Sequence, residues 1–341
     1  MLRTRQGDEK GVQVITVLCG GFGAARFLPG LRRVAPDLCC VVNTGDDLDY
    51  LGLHVAPDVD SVLYALAGCF DEERGWGVRG DTFRCNAALA LYGDDWFHVG
   101  DEDLALHLKR SALLRSGRPL SEVTAILARW WDLNARVLPM SDDPVRTVIV
   151  SEEGRLSLQE YVVARQAAPR ATAVDYEGAS RARPAPGVLD ALETADVVVV
   201  APSNPVSSIG PILALPGVQE ALRRRRRPTV AVTPVVCRQL PVTAAERGRA
   251  RVRAALMGAR GLPHTPTAVA CSYRGLIDGF VLDQRDASER DEIASLGIAV
   301  LLADTLASGA GRAELAGQLS RFAATLDSPR SGGPEWPGTR Q

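Results

Sequence analysis

Short apolar runs alternate with stretches whose apolar residues recur every three or four positions, from residue 14 to residue 326. The run at 14–18 breaks at Cys19-Gly20-Gly21-Phe22-Gly23, after which Ala25, Leu28, Leu31 and Val34 mark one face of a helix. A second strand is predicted at 38–43, and a helix begins at Asp58 and Asp60 and continues through Val62, Leu63 and Leu66. Further strands are predicted at 147–150, 156–163, 196–201, 229–233, 279–283 and 298–302, with helices at 188–194 and 312–326. Alternation of this kind implies an α/β fold, a mostly parallel Rossmann-like sheet with helices on both faces. Between 83 and 131 helix follows helix, including 103–114 and 120–131, which predicts an inserted helical lobe. The nucleotide-binding core is accordingly assigned to 13–82 and 132–327, with 1–12 a flexible leader and 328–341, rich in Ser, Pro and Gly, a disordered tail.

The glycine-rich break is the first place where the pattern suggests chemistry. A strand, a glycine turn and a helix start present backbone N–H groups at the positive end of a helix dipole, a site for phosphate. Gly20, Gly21 and Gly23 are therefore nucleotide-binding candidates. The turn is not a dinucleotide fingerprint: Arg26 stands where the third glycine belongs, and the second strand ends in Asn43-Thr44 instead of an acid. Nor is it a lysine P-loop, because the only lysines are Lys10 and Lys109 and no G-K-[ST] occurs. The second strand runs on into Asp46-Asp47, and Asp58 and Asp60 follow a glycine-containing loop. Clustered carboxylates repel one another unless a cation or donors compensate. Four of them beside a phosphate cradle suggest magnesium between protein and nucleotide. Asp58, just ahead of an apolar helical stretch, also reads as a helix N-cap.

The strand at 196–201 runs into Pro202-Ser203-Asn204-Pro205 and then Ser207-Ser208-Ile209-Gly210. Two prolines fix φ on either side of Asn204, so this rigid, donor-rich loop suits recognition of a base or a phosphate. Ser141-Asp142-Asp143-Pro144 is a similar polar turn. The histidines form no set: His54 and His264 read as loop residues, His107 as a helix-surface partner of Asp103, and His98 as placed at a turn to touch a substrate. No H-x-x-x-H suggests zinc and no G-x-S-x-G suggests a serine hydrolase.

Composition narrows the field. With 39 basic and 41 acidic residues among 341, no global field recruits nucleic acid. The run Arg223 to Arg227 reads as a solvated helix end before Pro228. No apolar segment reaches the length of a membrane span, and the first residues lack a signal peptide's apolar core, so a soluble, cytoplasmic protein is expected. Seven cysteines with no C-x-x-C spacing support no disulfide framework, and Cys19 reads as a small buried hydrophobe.

Taken together, the blocks GGFGAARFLPGL, NTGDD, PDVDSVLYALAG, RGWGVRGDTF, WFHVGDEDLALHLKR, LPMSDDPVRT, QEY, APSNPVSSIGPILALPG and VTPVV resemble the 2-phospholactate transferase family of coenzyme F-420 biosynthesis. That family includes the bacterial phosphoenolpyruvyl transferases. The similarity spans residues 14–236. It implies transfer of a phosphate-linked three-carbon acid (2-phospholactate, phosphoenolpyruvate or 3-phosphoglycerate) from a guanosine-diphosphate donor to the ribityl hydroxyl of the deazaflavin Fo, with release of GMP. It also implies a magnesium requirement and a homodimer. By the family pattern, Asp46, Asp47, Asp58 and Asp60 surround the metal and the acceptor hydroxyl, with Asp47 or Asp60 taking the hydroxyl proton. Ser203, Asn204, Pro205, Ser208 and Gly210 hold the guanosine nucleotide, and Asp60 and His98 approach the deazaflavin, with Trp76 and Trp96 as stacking walls. Two departures stand out: the segment 237–246 lacks the glycines usual after this family's V-[ST]-P-I-[IV], and Glu102 replaces an arginine.

The rival readings are a nucleotide-sugar- or dinucleotide-binding regulator on the related gluconeogenesis-factor fold, and a member that binds the deazaflavin without turnover. Asp60→Asn is expected to abolish transfer and leave the fold intact, on the view that Asp60 faces a solvent-filled cleft.

Overall fold

The structure is a computed structural model that describes residues 14–94, 96–237 and 243–326. The expected leader at 1–12 and tail at 328–341 lie outside the described residues. In chain order the first elements are β1 (Val14–Cys19), α1 (Gly21–Val34), β2 (Asp37–Val42), the hairpin β3 (Leu48–Tyr50) and β4 (Leu53–Val55), and α2 (Pro57–Ala67). Three helices follow with no strand between them: α3 (Arg84–Ala90), α4 (Asp101–Arg115) and α5 (Leu120–Trp130). The remaining strands are β5 (Arg136–Pro139), β6 (Arg146–Ser151), β7 (Gly154–Ser157), β8 (Ala171–Glu177), β9 (Val197–Val200), β10 (Thr229–Val232), β11 (Gly279–Asp283) and β12 (Ala299–Ala303).

Seven strands form one parallel sheet in the order β12-β11-β10-β9-β1-β2-β5. Alternation along β1 fits its place inside the sheet, between β9 and β2. Ile15, Val17 and Cys19 join one buried cluster with α1 and α2, while Leu18 joins a second cluster on the other face. The one polar residue of β1, Thr16, is fully buried and donates its hydroxyl to the Ala191 carbonyl at 2.7 Å. From β1 the chain first moves outward through β2 to β5, then returns to add β9 on β1's other side. Strand order therefore reverses between β1 and β9, and in open α/β sheets the crevice at such a switch point is where ligands bind.

Several local expectations need correction. The stretch 156–163 is not one strand: β7 ends at Ser157, and Glu160–Ala164 is a π-helical turn. β6, β7 and β8 form a separate antiparallel sheet of three strands. Arg225 is not solvated. It is buried and holds the Leu192 and Ala195 carbonyls, the latter at 2.9 Å, at the C-terminal end of the helix Val188–Thr194. A cation there satisfies carbonyls that have no partner inside the helix. Asp58 is not an N-cap either, since α2 is capped by Ala56 with Pro57 in its first turn.

Candidate active site: a carboxylate pair beside an arginine-lined crevice

The glycines of the turn are needed for close approach. A Cβ on Gly20 would overlap the Asp58 carboxylate, and one on Gly23 would overlap the Pro202 carbonyl oxygen. Gly21 adopts φ +63°, a conformation few other residues tolerate. Ser203 locks the turn to the β9 side of the crevice, accepting from Gly20 N at 3.2 Å and donating to Gly20 O at 2.7 Å. Gly23→Ala is expected to cost about 1–3 kcal/mol, because the clash is with backbone that has nowhere to move. The urea unfolding midpoint measures this, and an unchanged midpoint would mean the turn is looser than described.

The four candidate carboxylates do not converge on one point. Residues two apart on a helix face different ways, and α2 directs Asp58 toward the glycine turn and Asp60 toward α4. Asn43, just past β2, donates through Nδ2 to Asp46 Oδ1 and to Asp58 Oδ2, each at 2.9 Å, and so brings these two acids together. Gln159 adds a donor to Asp46 at 3.3 Å. Burial, and then mutual repulsion, pushes Asp46 well up from the ordinary carboxylate range. Burial likewise lifts Asp58 to about 7, against the pull of the Asn43 and Ser208 hydrogen bonds. Asp47 pairs instead with His54 Nε2 at 3.0 Å, and its buried Oδ1 has no hydrogen-bond partner. His54 lies in β4, not in a loop.

Asp60 belongs to a different network. Arg110, which is fully buried, grips both its oxygens, with Nη1 to Oδ2 at 2.9 Å and Nη2 on Oδ1. His107 lies between Asp60 (3.5 Å) and Asp103 (3.4 Å), and Tyr64 donates to Asp103 at 2.6 Å. His107 is thus buried and not on a helix surface, and burial lowers its pKa to about 4. Among the described residues Asp60, Asp103 and His107 are close enough to hold a metal ion together. The Arg110 fork already supplies positive charge to Asp60, and bidentate pairing of this kind is how buried carboxylates are held in place. The view of Asp60 as facing a solvent-filled cleft is therefore wrong, since the residue is only 3% exposed.

A cavity of about 740 Å³ opens at the switch point. Gly20, Gly21, Gly23, Asn204 and Ser208 line one side of it. Asn204 spends its side-chain oxygen accepting from Val206 N (2.9 Å) and Ser207 N (3.3 Å), which fixes the loop. Pro205 is buried, and Gly210 makes room for the Tyr176 hydroxyl, which donates to Val206 O at 2.5 Å. Arg249, Arg251 and Arg253 from the helix Ala244–Ala259 also line the cavity, as do Arg26 and Arg312. Gly20 and Ser208 line the cavity and also touch Asp58, so the Asp46–Asp58 pair lies behind this part of the wall and does not itself line the cavity.

The aromatic candidates lie apart from this cavity. Trp76 packs edge-on against Phe83 (5.9 Å between ring centres) under the Arg74 guanidinium, and Trp96 packs edge-on against Tyr50 (5.8 Å). Both are half-buried, and His98 is exposed. The Ser141–Asp143 turn has a structural role: Asp142 accepts from Ser121 N (2.6 Å) and Ser121 Oγ (2.8 Å) in the first turn of α5. Cys19 is buried, and burial raises its thiol pKa well above normal, as expected for a packed side chain. The sequence reading missed Gln159 as a carboxylate partner and the arginine helix altogether. Its one signal was the R-x-R-x-R-x-R spacing at 247–253.

A parallel sheet with its crevice at the strand-order reversal, bordered by a glycine turn and a row of arginines with a carboxylate pair behind the turn, defines a Rossmann-like protein. The profile of the family described as 2-phospho-L-lactate transferase CofD matches residues 15–300, and the chain belongs to that family. A phosphoenolpyruvate transferase of Streptomyces griseus subsp. griseus is 45% identical over 293 residues, covering 83% of this chain and 90% of the relative. One from Mycolicibacterium smegmatis is 38% identical over 320 residues, covering 87% and 95%. Among solved structures, a UPF0052-family protein of Bacillus halodurans superposes with a TM-score of 0.59 at 17% identity, covering 91% of this chain and 99% of that one. At that identity the likeness shows the Rossmann-like fold alone. No helix among the described residues is long and apolar enough to cross a membrane.

Proposed function

We propose that this transferase moves phosphoenolpyruvate from a guanosine-diphosphate donor to the ribityl hydroxyl of the deazaflavin Fo, in coenzyme F-420 biosynthesis. The alcohol oxygen attacks the phosphorus that bears the three-carbon acid, the pyrophosphate P–O bond breaks, GMP leaves, and the hydroxyl proton passes to a base. Among the three candidate acids, the names of the curated relatives favour phosphoenolpyruvate. The observation that carries the reading is the Asp46–Asp58 pair packed behind Gly20 and Ser208, which line a crevice bordered by five arginines. A reaction of this class needs alignment and charge neutralisation more than covalent help.

Magnesium fits the acidic pair. Asp46 and Asp58 are hard oxygen donors already crowded against each other, and burial first and neighbouring carboxylates second make their charged forms costly unless a cation joins them. When bound, the ion would neutralise charge on the donor diphosphate. Of the two candidate bases Asp47 is favoured, because its buried Oδ1 has no partner while Arg110 holds both oxygens of Asp60. A positioned base of this kind contributes roughly 10² to 10⁴-fold.

The test is to incubate purified protein with Fo, magnesium and each of the three guanosine-diphosphate donors, and to follow the phosphodiester and GMP by mass. The expected result is product with the phosphoenolpyruvyl donor. Absence of product with every donor, together with retention of a uridine sugar or NAD, would favour the regulator reading.

A further inference from the structure

We propose that Arg249 and Arg253, with Arg26 of α1, form a preassembled recognition wall for the donor's diphosphate and carboxylate. Arg253 is held in position by His264. The inference rests on the transferase reading for the identity of the donor; the wall itself is argued from the crevice.

The two arginines are four residues apart on the helix Ala244–Ala259, so they share a face, and that face lines the cavity. Arg247 is exposed and does not line the cavity. Five arginines border the cavity, against a single carboxylate, Glu246. That carboxylate is committed to the helix start, where it accepts from Thr243 N at 3.0 Å. Arg312 is paired with Glu72. Arg26, Arg249 and Arg253 have no carboxylate partner among the described residues. Burial lowers the pKa of each of these guanidiniums, that of Arg253 to about 10, and outweighs the opposing pull of Glu246 on Arg26 and Arg249.

Neutral partners hold them in place. The Phe22 ring, in the middle of the glycine turn, has Arg249 at 3.8 Å and Arg26 at 5.5 Å from its centre. Such contacts orient a guanidinium and leave its charge available. Gly75, at φ +89°, clears space for Arg249: a Cβ there would lie 2.8 Å from Nη1. This gives the Gly75-Trp76-Gly77 turn a use that no deazaflavin stacking supplies. Arg253 Nε donates to His264 Nε2 at 3.0 Å. Burial lowers the His264 pKa to about 4, so the imidazole is neutral and accepts through Nε2. Gly248, just before Arg249, also lines the cavity, and a Cβ on it would meet nothing within 4 Å. The space in front of the wall is open. Fixed guanidiniums around open space suit bidentate contacts to phosphate and carboxylate oxygens, and little of the ordering cost is left to binding.

The test is calorimetry of GDP and of inorganic pyrophosphate on wild-type protein and on Arg249→Gln, Arg253→Gln, His264→Ala and the control Arg247→Gln. Each cavity-arginine variant is expected to weaken GDP and pyrophosphate roughly 10- to 100-fold, the range for a charged hydrogen bond. The wild-type affinity should fall with added NaCl, and less steeply in those variants. His264→Ala should weaken both ligands without any change in net charge, and Arg247→Gln should do nothing. The ligand-free melting temperatures of Arg249→Gln and Arg253→Gln should be unchanged or higher, whereas arginines kept for structure would melt earlier when removed. Wild-type GDP and pyrophosphate affinity in both arginine variants would overturn the inference, as would equal weakening by Arg247→Gln. If the variants lose these ligands but wild-type protein transfers nothing to Fo, the wall stands and the transferase reading falls. If transfer proceeds with an unchanged donor KM in both variants, the wall falls alone.

Discussion

Arg110→Met is expected to cost about 3–5 kcal/mol of unfolding free energy, the range for removing one partner of a buried ion pair. The guanidinium is fully buried and supplies both hydrogen bonds to Asp60, while Asp103 lies one imidazole away across His107. Without Arg110 two carboxylates would face each other in the interior with no cation between them. Burial first and Asp60 second already lift Asp103 to about 7, and Arg110 is among the groups that oppose the rise. Urea denaturation at neutral pH reads the loss. The double variant Arg110→Met/Asp60→Asn should recover part of it, because the stranded charge goes with its partner. A loss below about 1 kcal/mol would contradict the buried-pair account. Asp60→Asn alone leaves Arg110 without a counter-charge, so any loss of transfer it causes should come with a measurable loss of stability.

Asp58→Asn is expected to reduce transfer by at least about 10² to 10³-fold, the usual cost of removing one charge-stabilising group from a reaction centre. In the metal-free state it should make the fold more stable at pH 8. Asp58 is lifted to about 7 in the folded chain, well above a carboxylate's value of about 4 when unfolded. A group raised in this direction contributes stability that is complete below the unfolded pKa and is lost as pH rises through the folded one. Metal-free wild-type protein should therefore lose melting temperature from about pH 4 to about pH 8, and the isosteric amide should remove the share of that loss that belongs to Asp58. Magnesium should restore the wild type at pH 8, with release of protons on binding below about pH 7, and should leave the variant unmoved. Melting curves with magnesium or EDTA across that range, run beside the transfer assay, decide the matter. A flat wild-type profile, or an active variant, would remove the Asp46–Asp58 pair from the site.

The central strands were readable because parallel strands buried on both faces are continuous apolar runs, as at 196–201. The three-stranded sheet was harder. β7 and β8 are partly exposed and linked by Arg155 to Asp175 (2.9 Å) and Glu177 (2.6 Å), a polar pattern that resembles loop. The acidic residues were visible as a cluster, but their partners were not. Asp46 meets Asp58 through Asn43, while Asp60, two residues further along α2, turns to Arg110 fifty positions away. A count of carboxylates carries no information on which way a helix points each one. The basic helix was overlooked because four arginines at alternate positions look the same in sequence whether they face water or a crevice. The register of that helix against Phe22 and His264 decides it, and only the fold supplies that.

The glycine turn and acidic pair come from residues 20–58 and the basic helix from 244–259, stretches nearly two hundred residues apart in the chain. A lineage could therefore rewrite the later stretch and change which anion the crevice admits while the acidic side stays as inherited.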